Sequence, residues 1–288
     1  MRSNITRDIT YANAARSRTG RAVIRLLENA TGRLSLIRRA AGYDAEIAQG
    51  RSFWDVIPDR YGLSLHVSGG DLAHIPRSGP LVVIANHPFG ILDGLMMGHL
   101  LHRTRPDFRI LANAVFRRAP ALDSVLLPIS FDQTREAVAL NLETRARAID
   151  YLASGGAIGI FPGGTVSTAV TPFAHPMDPG WRNFTAKLIA RSGATVVPVF
   201  FEGHNSRLFQ LASHLHTNLR LGLLIKEFRA RIDEPVRIVV GEPIPPDVLQ
   251  ADPNALMETL RSTTYALSPI PMASYDRGLE FEARYKTR

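Results

Sequence analysis

Apolar and polar positions fall into blocks whose lengths separate strands from helices. Apolar runs of about four to eight residues predict buried strands, and longer stretches with apolar residues three or four positions apart predict helices. The predicted strands are 81–85, 108–112, 125–131, 157–161, 195–201 and 236–240, with an exposed or edge strand at 62–67. The predicted helices are 95–102, 134–154, 183–192 and 206–228. Because strands interleave with helices, the sequence predicts an α/β fold with a largely parallel sheet flanked by helices.

The N-terminal segment has its own pattern and charge. Residues 1–39 contain nine arginines and two acidic residues, a balance of +7 within a formal net charge of +8 for the chain. Apolar residues recur there at steps of three and four, which predicts a basic amphipathic helix, or a helical pair broken near 31–32. These residues are Val23, Leu27, Ala30, Leu34, Ile37 and Ala41. We expect a membrane-associating helical segment at 1–50 and an α/β domain at 51–288. A helix packed on that domain with a solvated basic face is the alternative.

The composition of the chain excludes several kinds of site and several classes of protein. The chain has no cysteine, which excludes disulfides, thiolate metal sites and a cysteine nucleophile. No stretch approaches the roughly 18 apolar residues of a membrane-spanning helix, and no signal-peptide pattern is present. We expect a cytoplasmic protein that associates peripherally with the inner face of the cell membrane. An anionic membrane surface is the expected partner of the basic segment, and nucleic acid is not, because no recognition motif accompanies the charge. We expect no metal and no cofactor.

The main chemical signal is the segment 86–94, Asn-His-Pro-Phe-Gly-Ile-Leu-Asp-Gly, between a predicted strand and a predicted helix. In one regular helix, His87 and Asp93 would point about 240° apart. Pro88 and Gly90 allow a turn instead, so that Asp93 opens the helix and faces the imidazole. A carboxylate that accepts the Nδ1 proton leaves Nε2 free as a general base. A hydrogen-bonded structural histidine is the alternative on spacing alone.

This segment resembles the first signature of the glycerolipid acyltransferase superfamily, the lysophosphatidate acyltransferase group, in which four residues usually separate His and Asp. The five residues here resemble a branch, often called hemolysin-like, that acylates lyso-aminolipids such as lyso-ornithine lipid. The segment 161–167, Phe-Pro-Gly-Gly-Thr-Val-Ser, resembles the third block, with Gly163 and Val166 where that family has Glu and Arg. In phosphatidate-forming enzymes those two residues help hold the acceptor phosphate. Their absence implies an acceptor without glycerol phosphate.

The resemblance implies an acyltransferase-type fold and an O-acyltransferase of membrane lipid biosynthesis. The acyl donor would be a thioester of acyl carrier protein or coenzyme A, and the acceptor the 3-hydroxyl of an N-(3-hydroxyacyl) amino acid. His87 would be the general base and Asp93 its orienter. Oxyanion and substrate contacts would come from Asn86, Gly90, Asn113, Arg117, Arg118, Phe161, Pro162, Gly163, Gly164 and Thr165. Arg117 and Arg118 are equally consistent with a solvated pair.

Three other functions stay open. A lysophosphatidate acyltransferase that makes phosphatidate is disfavoured by Gly163 and Val166. A basic peripheral membrane protein without catalysis is disfavoured by the presence of both His87 and Asp93. A metal hydrolase that uses His87, Asp93 and His99 is disfavoured because no second carboxylate cluster lies near in sequence.

Overall fold

The computed structural model describes residues 10–15, 17–114, 120–130, 132, 134–272 and 274–280. Eleven α-helices lie in these ranges: α1 (Arg18–Thr31), α2 (Arg33–Arg39), α3 (Tyr43–Ala48), α4 (Phe53–Tyr61), α5 (Ile91–Thr104), α6 (Pro120–Asp123), α7 (Arg135–Ala153), α8 (Asn183–Ser192), α9 (Arg207–Leu215), α10 (Thr217–Arg229) and α11 (Pro253–Ala266). The strands in the same ranges are β1 (Ser64–Gly70), β2 (Leu81–Ala85), β3 (Phe108–Asn113), β4 (Leu126–Ile129), β5 (Ala157–Ile160), β6 (Thr195–Phe201) and β7 (Pro235–Val240).

The seven strands form one sheet in the order β1-β7-β6-β2-β5-β3-β4. Every neighbouring pair is parallel except β6 and β7, which are antiparallel. This confirms the predicted α/β fold with a largely parallel sheet. β1 is an edge strand with alternating exposure, as the polar and apolar alternation at 62–67 predicted. β2 lies between β5 and β6, so all five of its residues are buried.

Separate apolar cores cover the two faces of the sheet. One core contains residues of α4 and α5 and includes Trp54 and Met97. The other contains residues of α7, α8 and α11 and includes Leu152, Leu188 and Leu260. α11 was not among the predicted helices. Among the described residues, no helix has the length and hydropathy that crossing a bilayer requires.

The N-terminal helices pack on the sheet domain. They are separated at Gly32, whose φ of 128° favours glycine, so the predicted break is confirmed. α1 lies against α10, where Gly222 leaves room for Leu27. The buried positions of α1 include Ile24 and Glu28, whereas Val23 is exposed. The predicted apolar stripe is therefore partly wrong, because contact with α10 selects a different face of the helix.

The predicted helix at 206–228 is two helices, α9 and α10. The backbone of His216 is extended between them, with φ −162° and ψ 140°. Its imidazole accepts a hydrogen bond from the backbone N–H of Asn218 and thereby caps α10. Apolar periodicity continues through this break, so the pattern alone did not reveal it.

Candidate active site

His87 and Asp93 meet at the carboxyl end of β2. The Nδ1 atom of His87 lies 2.9 Å from Oδ2 of Asp93. The N–H direction of Nδ1 departs from the line to that oxygen, so the two groups are in close contact without an aligned hydrogen bond, and such bonds commonly tighten only when substrate binds. Asp93 is fully buried, and the His87 side chain remains 18% exposed. The predicted turn therefore brings the two side chains together.

The same oxygen of Asp93 closes the turn that carries the histidine. It accepts hydrogen bonds from the backbone N–H groups of Phe89, at 2.8 Å, and Gly90, at 2.9 Å. Gly90 is the N-cap of α5, and its φ of 93° is a backbone conformation that L side chains rarely adopt. Burial raises the pKa of Asp93 above its ordinary value, against the opposing effect of His87 and the two N–H groups. With donors on three sides, Asp93 favours the tautomer of His87 that is protonated at Nδ1.

The N-terminal segment reaches the start of α5. Burial raises the pKa of Tyr11, so its hydroxyl stays neutral, and this hydroxyl interacts with the backbone N–H of Ile91. The backbone N–H of Tyr11 donates to Oε1 of Glu28, at 2.5 Å, and the Thr10 hydroxyl donates to Oε2, at 2.6 Å. Glu28 is fully buried. Residues from the basic segment thus contact the helix that carries Asp93.

Asp178 is a buried carboxylate at the site that the sequence analysis did not identify. Its Oδ1 accepts hydrogen bonds from the backbone N–H of His87, at 3.1 Å, and from the hydroxyl of Ser167, at 2.5 Å. Its Oδ2 accepts from the indole N–H of Trp181 at 2.9 Å. Ser167 also donates its backbone N–H to the carbonyl of His87. Asp178 thereby ties the loop after β5 to the backbone of the histidine.

The residues after β5 form the wall opposite His87. The ring of Phe161 stacks on the imidazole, with centroids 4.4 Å apart and an angle of 26° between the planes. The N–H of Gly164 donates to the carbonyl of Phe161 within the turn, at 3.0 Å. No described atom accepts a hydrogen bond from the N–H of Gly163, which lies in the buried part of the turn. The carbonyl of Pro162 is occupied by the backbone N–H of Arg182.

Arg220 holds the next part of this loop. Its guanidinium donates to the carbonyl of Val166, at 2.8 Å, and to the hydroxyls of Thr165, Thr168 and Ser213. Arg220 is buried and also lies over the ring of Phe209. This role of Arg220 could not be predicted from the sequence, because it depends on contacts across more than fifty positions.

The other predicted site residues lie at different distances from the dyad. Asn86 is buried, and its side-chain amide bonds both backbone groups of Phe201, so it joins the ends of β2 and β6. Asn113 ends β3 opposite Ile129 of β4, two strands away from β2. Arg117 and Arg118 lie outside the described residues.

A cavity of about 260 Å³ opens beside the turn, at the carboxyl ends of β3, β4 and β5. Its walls combine apolar residues such as Leu111 and Phe184 with polar residues such as Ser130 and Arg182. Phe161 lines this cavity and also stacks on His87. The cavity is smaller than the roughly 300 to 1,000 Å³ typical of whole-ligand pockets, so it has room for one part of a ligand.

His99 does not join the dyad. Its Nδ1 lies 2.6 Å from the carbonyl oxygen of Trp54 and 3.9 Å from a carboxylate oxygen of Asp55. Among the described residues, no group of three or more His, Asp or Glu side chains is arranged to hold a metal ion. These contacts give no support to a metal site built from His87, Asp93 and His99.

Comparisons with known proteins identify relatives of the chain. A family model described as "Acyltransferase" matches residues 33–270. The lyso-glycine lipid O-acyltransferase of Phocaeicola vulgatus is 23% identical over 188 residues, which cover 60% of this chain. The match spans 62% of that relative, less than two thirds of its length. Among solved structures, the 1-acyl-sn-glycerophosphate (LPA) acyltransferase PlsC from Thermotoga maritima aligns with a TM-score of 0.49 and 14% identity, over 91% of this chain and 87% of that chain.

Proposed function

The chain belongs to the acyltransferase family, and on that premise we propose that it transfers a fatty acyl group from a thioester to the hydroxyl of a lyso-aminolipid. The observation that carries the proposal is the contact between His87 and the buried Asp93, 2.9 Å apart, beside a glycine turn. A buried carboxylate at Nδ1 leaves Nε2 as the nitrogen that exchanges a proton with substrate.

In the proposed reaction, Nε2 of His87 takes the proton of the acceptor hydroxyl as the hydroxyl oxygen attacks the thioester carbonyl. The tetrahedral intermediate then collapses, the carbon–sulfur bond breaks, and the imidazolium returns its proton to the departing sulfur. The products are an ester and a free thiol. Asp93 stabilises the imidazolium between the two steps. No covalent enzyme intermediate is needed, because the thioester is already activated.

The oxyanion of the intermediate needs hydrogen-bond donors. We assign the backbone N–H of Gly163 to this task, because the N–H of Gly164 is already bonded within the turn. Phe161, stacked on the imidazole, restricts the ring and shields it from water on one face. Asn86 and Gly90 act by positioning the turn, through their bonds to Phe201 and Asp93.

The proposed acceptor follows from what occupies positions 163 and 166. Val166 is buried and packs with Phe209, Leu223 and Leu224, so an apolar side chain stands where a phosphate-binding cation is expected. Gly163 has no side chain, and the neighbouring Asp178 already accepts three hydrogen bonds. The wall formed by Gly163 and Val166 therefore suits an acceptor without glycerol phosphate better than it suits lysophosphatidate. The similarity to a lyso-glycine lipid O-acyltransferase supports an amino-acid headgroup.

We place the polar end of the acceptor in the cavity beside Phe161. An N-acyl amino acid carries a free carboxylate, and Arg182 on the cavity wall supplies a cation for it. The donor is a thioester of acyl carrier protein or coenzyme A. We assign Arg117 and Arg118 to the donor's phosphate groups or to an acidic carrier helix.

We also propose that the basic helices bring the protein to an anionic membrane surface, where such an acceptor resides. Arg18, Arg21 and Arg38 are exposed although α1 is packed on α10. Each basic residue near an anionic surface contributes about 1 kcal/mol, and salt weakens this attraction. The packing of α1 on α10 leaves Arg18 and Arg21 on the surface, and Arg38 is exposed on α2.

The experiment that tests the function compares acceptors. The purified chain is incubated with a long-chain acyl thioester and with either an N-(3-hydroxyacyl) amino acid or lysophosphatidate, both in detergent. We expect an O-acylated aminolipid by mass spectrometry and weak or no phosphatidate. Equal or faster formation of phosphatidate would favour the lysophosphatidate acyltransferase, and absence of both products would reject acyl transfer to either lysolipid.

A further inference from the structure

Five large apolar side chains are exposed on two neighbouring segments. Their exposed fractions range from 44% to 82%. They are Val170 and Phe173, on the loop after the glycine turn, and Leu208, Leu211 and Leu215, on one face of α9. We name this set the α9 patch. Exposed apolar side chains that cluster, rather than lying singly, mark interaction surfaces.

The loop and the helix form one surface. Oε1 of Gln210 accepts a hydrogen bond from the backbone N–H of Ala169, at 3.0 Å. Nε2 of His214 lies 2.9 Å from the carbonyl oxygen of Ala169, and the guanidinium of Arg207 donates to the carbonyl of Ala174 at 2.6 Å. These bonds connect one turn after another of α9 to the loop. The side chains of the patch therefore project from a loop that is held against α9 by hydrogen bonds.

Both ends of this surface are connected to the active site. The loop begins at the glycine turn, and the backbone N–H of Ser167 donates to the carbonyl of His87 at 2.8 Å. The residues before α9 pass close to the ring of Phe89, which a Cβ on Gly203 would approach to 3.1 Å. Both segments that carry the patch are therefore connected to the turn that carries the dyad.

The charge around the patch has one sign. The segments 165–177 and 203–226 contain no aspartate and no glutamate. Arg207 at the start of α9 is exposed. An apolar surface carried by two segments that contain arginine and histidine but no acidic residue suits a lipid surface with anionic headgroups.

We propose that the α9 patch inserts into the lipid bilayer and places the mouth of the active site at the membrane surface. The proposal rests on the proposed function in one respect, because a lyso-aminolipid acceptor resides in the bilayer. The arginines of α1 and α2 supply attraction that salt screens, whereas the patch supplies apolar burial that salt does not screen. A protein partner is the competing occupant. Interface centres are enriched in aromatic residues, Met and Arg, whereas four of the five patch residues are Val or Leu.

The first test measures sedimentation of the full chain with vesicles of phosphatidylcholine and phosphatidylglycerol, without acceptor, at low and high salt. The test variant is Phe173→Ser combined with Leu208→Gln and Leu211→Gln, and glutamine is a good helix former on an exposed face. The matched control is Val138→Gln with Leu142→Gln on α7, which are also exposed apolar residues and lie over the other face of the sheet. We expect the patch variant to lose about tenfold or more of its partitioning at high salt, and the control to lose little.

A second measurement, tryptophan fluorescence, detects contact of the patch with vesicles in a variant that still binds them. Trp54 and Trp181 are both buried, so a tryptophan introduced by Phe173→Trp reports on the patch. We expect a blue shift of its emission on addition of the same vesicles, and no shift for Val138→Trp. Equal partitioning of wild type and patch variant, or an unshifted Phe173→Trp emission, would overturn the proposal. So would light scattering that shows self-association abolished by the patch substitutions.

Activity assays with the acceptor in detergent and in vesicles test this inference separately from the proposed function. With acceptor in detergent, we expect the patch variant to turn over like the wild type, whereas with acceptor in vesicles it should lose about tenfold. His87→Ala should lose about 10²- to 10⁴-fold in rate in both formats. Loss of vesicle binding by the patch variant supports the inference even if neither acceptor is acylated.

Discussion

The buried carboxylate of Asp178 accepts a hydrogen bond from the backbone N–H of His87, 3.1 Å away. It receives two further donors, the hydroxyl of Ser167 and the indole N–H of Trp181. Asp93 therefore contacts the imidazole of His87, while Asp178 contacts its backbone. Two carboxylates from different parts of the chain determine where the histidine lies.

Asp178→Asn tests this positioning. The three donors bond both oxygens of Asp178, and asparagine replaces one of these oxygens with an NH2 group that cannot accept. At least one buried donor is then left unpaired, which costs about 1 to 3 kcal/mol in the free energy of unfolding. We expect that loss in denaturant titrations, together with a lower kcat and a nearly unchanged KM. Asp247→Asn, at an exposed position, is the control and should change neither. A variant with wild-type stability and kcat would show that Asp178 does not position His87.

Asp93→Asn separates catalysis from stability. We expect activity to fall by about 10³- to 10⁴-fold, because asparagine can favour the wrong tautomer of His87. Burial raises the pKa of Asp93, so the folded state holds this proton to a higher pH than the unfolded chain does. Wild-type stability then falls as pH rises from the ordinary pKa of aspartate through the raised pKa of Asp93.

The side-chain amide of the Asp93→Asn variant cannot titrate, so above that range we expect this variant to be at least as stable as the wild type. Urea unfolding at an acidic and a neutral pH measures the difference. A variant that is inactive and also markedly less stable at neutral pH would mean that the carboxylate mainly holds the fold together.

Gly98→Ala tests the packing of α4 on α5. A Cβ at Gly98 would lie 1.9 Å from the ring of Trp54, so we expect a loss of about 1 to 3 kcal/mol or more from overpacking. Gly94→Ala is the matched control on the same helix, because a Cβ there meets nothing within 4 Å. It should stabilise the helix by about 0.5 to 1 kcal/mol. Thermal unfolding of both variants measures the pair, and similar effects at the two positions would contradict the packing.

The family and the seven strands, in their order along the chain, could be predicted from the sequence, and both are confirmed. The contact between His87 and Asp93 could be predicted from the sequence, because both residues lie in one short turn whose Pro and Gly restrict its geometry. Strands such as β6 could be predicted because an uninterrupted apolar run of this length is typical of a buried strand.

The missed features depend on contacts between distant positions. Asp178 reaches His87 across ninety-one positions, and no local pattern marks an aspartate that will be buried. Glu28 lies in a basic helix whose sequence gives no sign of burial, yet it is buried because it binds Thr10 and Tyr11. Local periodicity reports which face of a helix is apolar, and packing partners such as α10 decide which face is covered.

The most direct test of the account is the initial rate of acyl transfer from a thioester to an N-(3-hydroxyacyl) amino acid by wild type and His87→Ala. His66→Ala, an exposed histidine on the edge strand β1, is the control, and circular dichroism verifies that each variant is folded. The account predicts that His87→Ala loses about 10²- to 10⁴-fold in rate while His66→Ala keeps the wild-type rate. A folded His87→Ala protein that acylates this acceptor at close to the wild-type rate would contradict it.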